Sequence, residues 1–181
     1  MEKGYYDKED LNQILDRNIA WIENCDSKAS IILGAVGVVL AILLSIEVGD
    51  LYKNLYGCMT FTDWLFLIML VIAFVICIIG IVFLLKSLTA KIDIKEFSKG
   101  GVFTDSRIFF SAIARNASFV EYSNKLKETD ENIVLEDLKS QIYICAVICD
   151  AKFRNYNRGL FYSMSGLGIL VISTIIRFIM G

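Results

Sequence analysis

Ile22-Glu23-Asn24-Cys25-Asp26-Ser27-Lys28-Ala29-Ser30 is the stretch in which this chain changes solvent. Charged side chains crowd it as far as Lys28, and Ala29 to Ile46 then runs for eighteen residues without a charge. A helix of about eighteen or more apolar residues is long enough to cross bilayer hydrocarbon, where the backbone must satisfy its own polar groups. Upstream, Leu11, Ile14, Leu15, Ile19 and Ile22 recur at spacings of three and four, with Asn12, Asp16, Arg17 and Glu23 largely on the other side. This periodicity predicts an amphipathic helix that continues unbroken into the first span.

Two more apolar runs follow. Trp64 to Leu85 is twenty-two residues without a charge, ended by Lys86, and Gly159 to Ile176 precedes Arg177. The fold class expected is therefore an all-α membrane protein: three transmembrane helices with a small cytoplasmic helical region between the second and third. As one membrane domain over 1–181, the predicted parts are a cytoplasmic amphipathic helix (1–28), first span (29–46), external loop (47–63), second span (64–86), cytoplasmic helical region (87–158) and third span (159–177). Orientation comes from charge. Residues 87–158 carry eleven of the eighteen Lys and Arg, and Lys3, Lys8, Arg17, Lys28 and Lys86 bring one side to sixteen. The positive-inside rule puts that side in the cytoplasm, with Arg177 snorkelling at the outer boundary.

In the region between the second and third spans, Lys99-Gly100-Gly101 is a break. Asp105 or Ser106 is positioned to cap a short helix carrying Ile108, Phe109, Phe110 and Ile113, and a second short helix is expected over Ser118 to Lys127. From Ile133 the pattern Val134, Leu138, Gln141, Ile142, Cys145, Ile148, Cys149, Lys152 is helical again and leads directly into the third span.

Composition narrows the chemistry. The chain is 56% hydrophobic and contains no proline and no histidine, which suits long helices and removes the commonest near-neutral base and zinc ligand. Activated-serine and glycine-rich phosphate motifs are missing, so no catalytic residues, cofactor, metal or enzyme activity is expected. A net charge of -2 without a basic run argues against nucleic-acid binding. Of the five cysteines, Cys145 and Cys149 are one helical turn apart and read as helix packing.

Three blocks together are similar to the membrane effectors of bacterial Pycsar antiphage defence: Trp21-Ile22-x3-Asp26-Ser27-Lys28-Ala29-Ser30, Ile108-Phe109-Phe110-x2-Ile113-Ala114, and Gln141-Ile142-x5-Ile148-x3-Lys152-Phe153-Arg154. The resemblance covers about residues 10–170, with Ser111 after Phe109-Phe110 where the motif is expected to have Gly. It implies a companion cyclase, a cyclic nucleotide signal (cyclic UMP or cyclic CMP), and an effector that oligomerises and compromises the inner membrane.

Asp26, Lys28, Arg115, Gln141, Lys152 and Arg154 are the candidate ligand-binding residues, since the first and third spans both begin on one membrane side. The bases suit a phosphate, Gln141 a base edge, and Tyr122 or Phe153 a stacking face. The plainer reading is structural: bases beside spans are expected from topology, and Asp26 has an ion-pair partner in Lys28 or in a base of the third block. Ser30, Gly34, Gly37 and Ala41 form small-xxx-small pairs for helix packing or a pore between copies. The competing function is a non-enzymatic scaffold or anchor that recruits a partner through residues 87–158.

Overall fold

The computed structural model describes residues 6–55, 61–89, 101–103 and 105–180, and five helices account for most of them. They are α1 (Lys8–Leu55), α2 (Phe61–Leu88), α3 (Phe110–Ile113), α4 (Phe119–Lys127) and α5 (Glu131–Met180). Three of these helices, α1, α2 and α5, are long and apolar enough to cross a membrane. The amphipathic segment and the first span are one helix, as are the segment from Ile133 and the third span. With no proline to remove a donor, nothing interrupts either ladder. One boundary differs from the expectation: α1 continues past Ile46 to Leu55 and α2 begins at Phe61, so helix takes up most of the stretch read as a loop. The segment Lys91–Lys95 and Cys58 lie outside the described residues.

The chain divides into two units. A polar unit comprises Met1–Asn24 and Ala90–Ala151, and a span unit comprises Cys25–Thr89 and Lys152–Gly181.

In the polar unit, local side chains define the helix starts. Ser106 Oγ accepts from the backbone N–H groups of Ile108 (3.1 Å) and Phe109 (2.9 Å) in the turn that leads into α3, whose own N-cap position, Phe109, has no side-chain cap, so neither Asp105 nor Ser106 caps the helix itself. Ser118 caps α4 by accepting from Glu121 N–H at 3.2 Å, while the Glu121 carboxylate accepts from Ala117 N–H at 2.8 Å. The Ser-x-x-Glu spacing thus works as a reciprocal cap. Asp130 caps α5 in one direction, its carboxylate accepting from Ile133 N–H at 2.8 Å. Gly101 has φ 74°, a left-handed conformation that side chains disfavour and that fits the predicted break.

In the span unit, Val36, Leu40, Ala73, Cys77 and Leu170 form the buried core. The second span has small residues at Ala73, Cys77 and Gly80, and these are its buried face; Leu65, Ile68, Val71, Ile72, Val75 and Val82 are exposed, as lipid contact requires. α5 answers with Gly159, Ser163 and Gly166, all buried. A Cβ on Gly159 would lie 2.7 Å from Leu84 Cγ and 2.8 Å from Leu84 N; one on Gly166 would lie 2.9 Å from Ala73 O. These two backbones therefore touch because side chains are absent, the packing mode that substitutes for hydrophobic drive inside lipid.

Candidate functional site

At the first span's polar end, α1 carries Cys25 and Asp26 one helical step apart in sequence, and Cys25 is fully buried. α2 ends at Leu88, leaving carbonyls of its last turn without intrahelical donors. Lys152 of α5 fills this place. Its ammonium bonds Asp26 Oδ1 at 2.5 Å, Ser87 O at 3.0 Å and Leu88 O at 3.4 Å. Three donors thus find three acceptors, and the Lys152 side chain is 6% exposed. The charge also sits at the negative end of the α2 dipole, where a cation is favoured.

Ser87 completes the joint. Its hydroxyl donates to Lys152 O at 3.1 Å and lies 3.6 Å from Cys25 Sγ. One side chain from each of the three spanning helices therefore meets at a single point. Removing either charge would strand the other: uncompensated buried charges typically cost about 3–5 kcal/mol. Asp26 is 38% exposed, so losing Lys152 strands a partly solvated carboxylate and falls toward the lower end of that range, whereas losing Asp26 strands the nearly buried Lys152.

The predicted site residues have different surroundings. Asp26 and Lys152, which lead into the first and third spans, are brought together as an ion pair. Asp26 thus pairs with the base of the third block. Lys28 and Arg154, in the same unit, are exposed. Arg115 and Gln141 belong to the polar unit. Arg115 is exposed, with Nη2 3.5 Å from Ser111 Oγ; Gln141 is 5% exposed and donates from Nε2 to Asp137 Oδ1 at 3.4 Å. Tyr122, expected as a stacking face, donates its hydroxyl to Arg107 O at 3.0 Å. Phe153 is half-buried in the span unit. Cys145 is pushed toward the protonated thiol, first by burial and then by the neighbouring Cys149, which suits packing better than a thiolate ligand.

Ser30, Gly34, Gly37 and Ala41 are all exposed, and added Cβ atoms at Gly34 and Gly37 would meet nothing within 4 Å. The stripe is unused inside the protomer. Sequence reading missed Ser87 and Cys25, because a serine at the end of a span and a cysteine among charges have no spacing that marks them. It also missed Arg107 and Asp137, whose partnership crosses thirty residues.

Residues 10–179 match the family described as the Pycsar effector protein domain. The chain is also 31% identical, over 91% of its length and 90% of the relative's, to the Pycsar effector protein GmPycTM of Gulbenkiania mobilis. No solved structure matches the chain.

Proposed function

The chain belongs to the Pycsar transmembrane effector family, and from that premise we propose that it disrupts the bacterial inner membrane when its polar unit responds to a cyclic nucleotide made on phage infection. The observation that carries the reading is the match across nearly the whole chain, spans and polar unit together, which leaves little of the sequence for an unrelated task. The N-terminus and the polar unit face the cytoplasm, where a cyclase product would arise, consistent with sixteen of eighteen bases on that side.

In this reading the effector is a homo-oligomer. Ser30, Gly34, Gly37 and Ala41 line the contact between first spans of neighbouring copies, with cyclic UMP or cyclic CMP as the signal. Asp26 and Lys152, already satisfied by each other, act as the joint whose spacing differs between the resting and disrupting states. Lys28 and Arg154 in the span unit, and Arg115 in the polar unit, are the bases that favour an anionic ligand, and Gln141 is the group suited to a base edge. A change from 1:99 to 99:1 requires the ligand to prefer one state by about 5.5 kcal/mol. Several identical sites, each contributing a few charge-assisted bonds, meet that demand more easily than one.

The test is leak. Purified protein in liposomes loaded with a self-quenched dye should release it on addition of cyclic UMP or cyclic CMP, and the Lys28→Ala, Arg154→Ala protein should need more nucleotide. Correctly inserted protein that releases nothing with either nucleotide would remove the effector mechanism and favour a scaffold.

A further inference from the structure

We infer that α2 and α5 together hold the headgroup of an anionic phospholipid, at the membrane face where α2 ends its span and α5 begins one. The site takes two residues from each helix. Phe83 and Lys86 lie three apart on α2, and Arg158 and Tyr162 lie four apart on α5, so each pair shares a helix face. All four belong to the span unit. They meet at one ring: Lys86 Nζ is 5.5 Å and Arg158 Cζ is 5.9 Å from the centre of the Phe83 ring. The Tyr162 ring lies nearly parallel to that of Phe83, with centres 5.8 Å apart and 13° between the planes.

The backbone beside this cluster is closely packed. Leu84 follows Phe83 and Gly159 follows Arg158, and a Cβ on Gly159 would lie 2.8 Å from Leu84 N. That contact sets the separation of the two basic stems.

Basic residues beside spans are expected from topology, but topology does not say where around each helix they point. Here cations from two helices gather on one ring. A ring face attracts a cation through its quadrupole and brings no net charge, so the two positive charges remain uncompensated. Both side chains are exposed, and no carboxylate among the described residues pairs with either. The Tyr162 hydroxyl likewise has no hydrogen-bond partner among the described residues. An anion with several acceptor oxygens answers all three groups.

Depth selects a lipid as the source of that anion. Lys86 ends a run of twenty-two uncharged residues and Arg158 directly precedes the third span, which sets both at headgroup level. Basic sites between spanning helices on the cytoplasmic face suit acidic headgroups. Ile79, one turn before Phe83, and Phe161, whose ring lies 5.7 Å from that of Tyr162, are exposed and give acyl chains an apolar surface below the phosphate.

Native mass spectrometry of the full-length protein, released from detergent micelles that contain equimolar phosphatidylglycerol and phosphatidylcholine, counts the lipid retained. Phosphatidylglycerol should be retained in clear preference, and Lys86→Gln and Arg158→Gln should each lower that preference by about fivefold, as expected for one basic side chain at an acidic headgroup. The double variant should abolish it; if that protein does not fold by circular dichroism, the two single variants decide. Phe83→Leu keeps both charges and should at least halve the preference, and no change there would overturn a site built on the shared ring. Lys139→Gln removes a base of the polar unit and should change nothing. An equal loss in Lys139→Gln would mean that overall charge selects the lipid, and would overturn the inference, as would a folded double variant that keeps the preference. Inorganic phosphate should not displace the lipid; displacement would make this a site for soluble anions instead. The measurement involves neither nucleotide nor leak, so its failure would leave the effector reading intact.

Discussion

Two faces of small residues run along the spans, and only one of them is occupied within the protomer. Ala73, Cys77 and Gly80 on α2 lie against Gly159, Ser163 and Gly166 on α5 so closely that a Cβ on Gly80 would come within 2.5 Å of the Ser163 backbone nitrogen. Ser30, Gly34, Gly37 and Ala41 on α1 have the same chemical character and lie open. The difference is one of rotation. α1 buries Cys25, Ala29, Val36 and Leu40, and the open stripe is offset from these by one residue, about 100° around a helix of 3.6 residues per turn. Small residues therefore permit close approach without choosing the partner: the face with larger apolar neighbours joins the core, and the one beside it is left to lipid or to another chain.

Side chains placed on the closed face should have the largest effect. Gly159→Leu drives four heavy atoms into Leu84 and its backbone, and should abolish the cooperative thermal unfolding transition of the protein in detergent. Overpacking usually costs about 1–3 kcal/mol, and the obstruction here is backbone, which cannot move aside as a side chain can. Lys152→Met is next. It strands Asp26 and uncaps α2, with a cost on the order of 3 kcal/mol; a double mutant with Asp26→Leu should recover much of it, and the absence of recovery would mean the two charges act separately.

Smaller effects sharpen the contrast. Ser163 Oγ is buried and finds no hydrogen-bond partner among the described residues, so Ser163→Ala should be neutral or stabilise by up to about 1 kcal/mol. Gly34→Leu should leave the thermal transition within about 0.5 kcal/mol of wild type, because its Cβ meets open space. The same variant should lose inter-copy crosslinking if the stripe is the contact proposed above. A large stability loss at Gly34 would show that the two faces are not different in kind.

How far the sequence carried is clearest at particular residues. The three spans were legible because runs of eighteen and more uncharged residues have few other readings. The helix expected over Ser118 to Lys127 is α4, and the Ser118–Glu121 spacing that caps it was a further signal left unused. Asp26 and Lys152 were each legible as a charge beside a span, and their pairing was one of the open alternatives. Their third partner was not: backbone carbonyls at Ser87 and Leu88 exist at every helix end and leave no trace in residue type. Gly159 and Gly166 went unremarked because a glycine in an apolar run looks the same facing lipid or a backbone. Asp137 lies between Glu136 and Lys139, whose ion pair is exposed, and among such neighbours a buried carboxylate reads as one more solvated charge.

The position of Lys152 also sets an order of events during synthesis. It is added 126 residues after Asp26, about 6–25 s later at about 5–20 residues per second. Through that interval the first two spans are in place with Asp26 lacking its ammonium and α2 lacking its terminal cap. The last helix must arrive to lock them, so a chain cut short before Lys152 leaves Asp26 without its partner and the end of α2 without its cap.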